Sequence, residues 1–284
     1  MINPSNVIIL KMFLKKFSLL TLVCLVPHIN SHEKDDDPVD LLTLKHVQID
    51  NYNGPLTEEN AVLLRNVEIL DIRQSNLTPM HQSFLNSMPK LKKLSISNSN
   101  IAREVRDISN CCKQLKEFEL INSGLPSLSW HLYGKWPLVR LYVHKEKLPH
   151  LKENILKDTK MKELTIEYSG VETIDDSAFT HLLHLETLNL QNNKIKQITK
   201  ELLTPLKNVK EINLKGNLLE KLTTDQFPSL PNLEKLDVGH NPIKEFNLEG
   251  IKQLAPKLAE VEISGIEVDT SKNGGVNLLK HSIL

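Results

Sequence analysis

The stretch LETLNLQNNKIKQI, residues 185–198, decides the fold. Leu185, Leu188, Leu190 and Ile195 occupy the first, fourth, sixth and eleventh places of a frame whose ninth place is Asn193. The frame begins again at Leu44, Val67, Leu91, Leu115, Leu138, Met161, Val209, Leu233 and Leu258, at intervals of 23 to 25 residues. The first, fourth and sixth places of these ten units are all aliphatic, Met or Phe, where 40% hydrophobic content placed at random would fill only about 12 of 30. A period in the low twenties with a fixed internal pattern marks a stacked-repeat architecture.

The spacing has a physical cause. Fourth and sixth places are two apart, so in an extended strand both point into the core while the third, fifth and seventh point out. One short strand leaves its backbone groups unpaired, so each coil pairs with its neighbours in a parallel sheet. The first-place residues and a second apolar set fill the space behind that sheet. The second set is clear in Val171, Ile174, Phe179 and Leu182, and again in Leu219, Leu222, Phe227 and Leu230. No coil is stable alone; stacked, the coils bury one continuous core.

These residues, LxxLxLxxNxL, resemble the leucine-rich repeat family. The length near 24 and a Phe in the second half of several coils resemble its typical extracellular class, as in Toll-like ectodomains and secreted arthropod repeat proteins. The resemblance implies an α/β solenoid of about ten repeats over residues 44–270, with a curved parallel β-sheet on the concave side and an irregular or helical convex side. It also implies that ninth-place asparagines bond the backbones of adjacent coils as a ladder. Asn193, Asn217 and Asn241 match, Ser75, Ser99, Ser123 and Ser169 are shorter, and Tyr52, Glu146 and Ile266 depart. The coils from Leu185 to Asn241 are therefore expected to be the most regular and the coil around Glu146 the least. Many extracellular members close both ends with disulfide-rich caps, but neither end of this array carries cysteine. The ends are expected to be covered by residues 32–43 and 271–284, or to dock on a second molecule.

The N-terminus reads as a secretory signal over residues 1–31: Lys11, Lys15 and Lys16 precede an apolar run from Phe17 to Val26, and residues 27–31 offer a cleavage zone. That run is too short to cross a bilayer, and no later segment is long and apolar enough. An acidic leader, HEKDDDPVD, follows. Secretion removes Cys24 and leaves adjacent Cys111 and Cys112 in an oxidising setting. Three states stay open for that pair: one buried and one exposed thiol, a bond between the neighbours, or a bridge to another chain. Asn76-Leu77-Thr78 is the acceptor triplet for an N-linked sugar, and its place at the turn out of a strand favours occupancy.

Lys+Arg and Asp+Glu are both 35, so no global field draws in nucleic acid or an anionic membrane, and aromatics at 5% argue against a base-stacking surface. No nucleophile elbow, phosphate-cradling loop or HExxH motif is present, and His181 and His184 lack an arranged acidic partner, so neither an enzyme nor a metal or other cofactor is expected. The expectation is a secreted binding protein whose partner is a protein or another extracellular macromolecule, held on a rigid concave wall at low entropic cost. Outward residues of three successive coils, Glu119, Ile121, Arg140, Tyr142, His144, Glu167 and Tyr168, combine exposed aromatics with Arg and an aliphatic, the chemistry of interface anchors. By resemblance, adhesion, matrix organisation or innate immune recognition are the settings. The alternatives are a self-associating matrix scaffold and a soluble inhibitor or carrier.

Overall fold

A computed structural model of the chain describes residues 7–11, 43–56, 58–61, 64–77, 82–101, 112–124, 128, 137–153, 155–157, 159–266 and 277–279. The chain forms two compact units, residues 1–125 with 131–137 and residues 126–130 with 138–284. The first contains β1 (Val7–Lys11), β2 (His46–Asp50), β3 (Ile69–Arg73), β4 (Lys93–Ser97) and β5 (Glu117–Ile121), each parallel to the next. The second contains β6 (Arg140–His144), β7 (Glu163–Glu167), β8 (Thr187–Asn189), β9 (Glu211–Asn213), β10 (Lys235–Asp237), β11 (Glu260–Glu262) and β12 (Asn277–Leu279), again parallel throughout. All ten strands of the sequence frame are present, four in the first unit and six in the second. Strand β1 lies inside the segment read as a signal; the rest of residues 1–31, residues 32–42 of the leader and most of 271–284 lie outside the described residues.

Pairing follows the frame place for place. Val47, Leu70, Leu94 and Phe118 are successive partners in the first unit, and Leu141, Leu164, Leu188, Ile212, Leu236 and Val261 in the second. Every first-, fourth- and sixth-place residue is buried. Phe84, Phe179 and Phe227 fill the space behind the sheets, each fully buried. The helices on that side are short. In the second unit, α1 (Lys200–Leu203) is capped by the Thr199 hydroxyl accepting from the Leu202 N–H, and α2 (Leu248–Leu254) by Asn247 accepting from the Gly250 N–H.

The turn out of each strand imposes one backbone conformation. Place eight has positive φ in all ten coils: Asn51, Gln74, Asn98, Asn122, Lys145, Tyr168, Asn192, Gly216, His240 and Gly265, at 48° to 74°. Asn and Gly tolerate this left-handed region and supply six of the ten, whereas Gln74, Lys145, Tyr168 and His240 hold it against their side-chain sterics.

The ninth place then ties each coil to the one before. Ser75 and Ser99 each accept from the ninth-place N–H of the preceding coil, at 3.0 Å, and donate to a carbonyl of their own coil. Asparagine reaches further. Asn217 accepts from the Ile195 N–H at 3.1 Å and donates to the carbonyls of Leu190 and Leu214 at 2.9 Å each; Asn193 and Asn241 repeat the set. Glu146, buried at 4% exposure, keeps the ladder through its N–H, which donates to the Ser169 hydroxyl at 3.2 Å. Its strand, β6, runs five residues.

Strand length varies for a local reason. β8, β9 and β10 stop after three residues, and their fifth-place side chains explain why. Asn189, Asn213 and Asp237 fold back to accept from the N–H two residues on, each at 3.0 Å, a bond that a longer strand would give to a neighbour. Glu262 does the same in β11, accepting from the Ser264 N–H. The simple alternation of the sequence is therefore corrected in part. Gln48, Asp71, Glu167, Glu262 and Ser264 hold outward places yet are buried. Strands about 4.8 Å apart bring long polar side chains within bonding reach of their neighbours, as where His46 Nε2 lies 2.7 Å from Asp71 Oδ2.

At about 1 kcal/mol for each buried bond, Asn217→Ala is expected to cost about 2–4 kcal/mol and Ser99→Ala about 1–2 kcal/mol. Native-state hydrogen exchange in the flanking coils measures both. Equal costs would mean that water replaces the lost amide bonds.

Candidate binding interface

The outward residues expected to form a contact patch divide between the units. Glu119 and Ile121 belong to the first, where Glu119 pairs with Lys93 at 2.6 Å and Ile121 is half-buried. Arg140, Tyr142, His144, Glu167 and Tyr168 belong to the second, and all but Arg140 form a connected cluster on β6, β7 and the turn that follows β7.

Glu167 is its centre. At 7% exposure its carboxylate accepts from the Tyr142 hydroxyl at Oε1 and from the Gln191 amide at Oε2, and His144 Nδ1 lies 3.1 Å from Oε1. Gln191 is in turn held by the Asn213 amide at 3.3 Å. The sequence reading passed over Gln191, although it occupies the seventh place one coil after Glu167. Burial raises the Glu167 carboxyl pKa, but the hydrogen bonds from Tyr142, Gln191 and His144 together outweigh it and hold the group below the usual glutamate value of 4.5.

The aromatic rings assemble over this carboxylate. Tyr142 and His144 lie near-parallel, 7° apart with centroids at 6.0 Å, and Tyr168 meets His144 edge-on at 5.3 Å. Tyr168 occupies place eight at φ 52° and remains 52% exposed. A bulky residue in the left-handed region is a local outlier, held there by the turn and presented to solvent. Arg140 pairs with Glu163 at 2.9 Å on the exposed rim.

Around the cluster the sheet face of the second unit is acidic. Across the third, fifth and seventh places of its six frame coils, six carboxylates face three cations, Arg140, Lys215 and Lys235. Burial, with help from nearby Glu262, pushes the Asp237 carboxyl up, against the Gly239 N–H bond that lowers it. The fifth-place side chains of β8 to β10 bond their own backbone, whereas Tyr142 and His144 of β6 engage Glu167 of β7.

The other singled-out residues lie elsewhere. Asn76 is exposed, in a two-residue strand Asn76–Leu77, and Cys112 is buried; Thr78 and Cys111 lie outside the described residues. Among the described residues no group of three or more His, Cys, Asp or Glu is placed to hold a metal ion, and no helix is long and apolar enough to cross a membrane. His181 and His184 sit in a turn, and His184 opens on a groove at the edge of the sheet.

In-register parallel coils, a fixed left-handed turn and an amide ladder together meet the comparison with known proteins. The leucine rich repeat family model matches residues 159–219 and 207–256, within the second unit and including all three ladder asparagines. Residues 159–256 carry leucine-rich repeats, and the chain has the fold of a leucine-rich-repeat solenoid. Solved structures share that fold, three of them as follows. A chain of the Drosophila Toll–Spatzle complex is 16% identical with a TM-score of 0.66, covering 85% of this chain and 38% of that one. A chain of the TLR13–ssRNA13 complex is 20% identical with a TM-score of 0.65, covering 92% and 37%. A chain of the octameric complex of Latrophilin 3, Unc5D and the repeat domain of FLRT2 is 16% identical with a TM-score of 0.62, covering 84% and 76%. This protein thus spans under two fifths of the Toll and TLR13 chains it matches, and at these identities the likeness is one of fold. No curated protein matches it in sequence. Leucine-rich repeat arrays are typically non-enzymatic binding modules.

Two measurements probe the cluster. Asn tolerates the left-handed turn better than Ala, so Tyr168→Asn is expected to exceed Tyr168→Ala in stability by about 1 kcal/mol, read from urea midpoints. Because the folded pKa of Glu167 is depressed, its stabilisation is complete above the unfolded value near 4.5 and is lost as pH falls through the folded value. Wild type should therefore lose more stability between pH 7 and pH 3 than Glu167→Gln; parallel curves would refute the carboxylate's role.

Proposed function

We propose that this protein captures a protein partner on the sheet face of its second unit, with Tyr142, His144 and Tyr168 as anchors, in an extracellular setting of adhesion or innate immune recognition. The observation that carries the reading is Tyr168, an aromatic ring kept half-exposed in a backbone conformation that favours Asn or Gly. A ring whose rotation is already limited by His144 loses little freedom on docking, and aromatic anchors supply much of the energy of protein interfaces. The acidic surround favours a partner with a basic contact segment, through attraction that steers encounter.

Two of the three structural neighbours appear with protein partners, and the third, TLR13, with ssRNA13. Toll appears in complex with Spatzle, and FLRT2 is assembled with Latrophilin 3 and Unc5D. The extracellular setting rests on the signal-like N-terminus and the sugar-acceptor triplet at exposed Asn76.

Affinity capture from extracellular fluid with the full chain as bait tests the reading. Tyr142→Ala/Tyr168→Ala is expected to reduce the specifically retained protein about tenfold or more, the range of a two-anchor loss. Raising the salt should weaken capture by the parent protein. Retention equal to wild type by the double variant, with folding confirmed by circular dichroism, would remove the sheet face from consideration.

A further inference from the structure

A second surface of the same unit carries the opposite charge. It is the leading edge of the sheet, built from the residue just before each frame start and the second place of each coil. Along it, over the six frame coils of the second unit, four lysines and His184 face two carboxylates, Glu186 and Glu234. The edge opens into a groove of about 580 Å³ whose lining includes Lys160, Lys162, His184, Glu186, Asn208 and Lys210.

We propose that this groove binds a sulfated polysaccharide. The inference stands on observations separate from those that place a protein partner on the sheet face.

The cations are arranged for ligand binding. Lys162 and Lys210, two coils apart, both reach Glu186 at 2.7 Å, so one carboxylate holds two ammonium groups over the groove. Those two hydrogen bonds push the Glu186 carboxyl down to about 2, so the bridge is charged across the physiological range. Two ammoniums sharing one carboxylate keep an excess positive charge and unused donors. Lys160 and His184, beside them, have no hydrogen bond or ion pair among the described residues. Asn208 donates to the Leu183 carbonyl at 2.8 Å, and its amide oxygen has no partner among the described residues. Leu183, at 55% exposure, adds an apolar patch beside His184.

This chemistry selects among polyanions. Lysine ammoniums bind sulfate oxygens as point charges, the unpartnered Asn208 amide oxygen accepts from a sugar hydroxyl, and Leu183, next to the groove residue His184, offers an apolar surface to a pyranose ring. Single-stranded nucleic acid calls for stacking platforms, and the edge places of these coils hold no Phe, Tyr or Trp. A membrane surface calls for a dense basic cluster, whereas Glu186 and Glu234 interrupt the lysines of this edge.

Heparin is the probe, with the full chain at physiological ionic strength. Wild type is expected to bind heparin, to release it with rising salt, and not to bind desulfated heparin. Lys160→Glu/Lys210→Glu should lower the affinity on the order of tenfold or more. Lys215→Glu/Lys235→Glu, the same charge change placed on the sheet face, should leave it within about twofold. Lys160→Gln/His184→Gln, which spares the Glu186 bridge and so the fold, should also weaken binding. Failure of wild type to bind heparin would overturn the proposal, as would equal losses in the two charge-reversed variants. Equal affinity for a single-stranded RNA or for phosphatidylserine vesicles, lost in the same variants, would overturn the assignment of ligand class. None of these outcomes bears on protein capture through Tyr142 and Tyr168.

Discussion

A strand of three to five residues cannot satisfy its own backbone, and everything else in this molecule follows from that deficit. Each coil borrows hydrogen-bond partners from the coils before and after it, and only in-register stacking lets it do so while burying its first, fourth and sixth places. Where the chain leaves the sheet, the backbone ladder ends and side chains take over. A serine there reaches one donor of the preceding coil and one carbonyl of its own. An asparagine reaches an N–H and carbonyls on both coils, because its amide carries a donor and an acceptor on a longer arm. The three asparagine coils fall inside the region that the family pattern detects, so sequence regularity and hydrogen-bond density have the same origin.

The turn that begins this ladder also shapes the surface. A left-handed residue is required once per coil, and most coils meet the requirement with Asn or Gly. Tyr168 does not, and its ring stands beside His144 at the head of a network centred on Glu167. Strain concentrated where a side chain is displayed to solvent is a pattern found at functional sites. The neighbouring coils show the contrary arrangement: Asn189, Asn213 and Asp237 turn back on their own strands, which stop after three residues.

A chain with no net charge has nonetheless separated its charges. In the second unit, carboxylates predominate on the sheet face and lysines along its leading edge. Glu167 and Glu186 illustrate the two environments. Both have lowered pKa values, but for Glu167 mostly neutral donors overcome the penalty of burial, whereas for Glu186 two lysines act at an open edge. Salt screens the second arrangement and barely reaches the first. The two surfaces are therefore suited to different partners and to different dependence on ionic strength.

The periodic spacing of Leu, Ile and Val determined by itself the repeat length, the strand positions, the parallel register and the identity of the core, because those depend on which residues share a face. It also singled out Tyr142, His144, Glu167 and Tyr168 as unusual outward residues. Only the tertiary structure decided that Glu167 is buried, that Gln191 completes its coordination, that Asn189, Asn213 and Asp237 are occupied by their own backbone, and that Tyr168 sits in a left-handed turn. Lys160, Lys162, His184 and Lys210 look like scattered surface polarity in the linear chain. Stacking brings positions about 24 and 48 residues apart to the starts of adjacent and next-adjacent strands, about 5 and 10 Å from one another, and that proximity is what converts them into a groove.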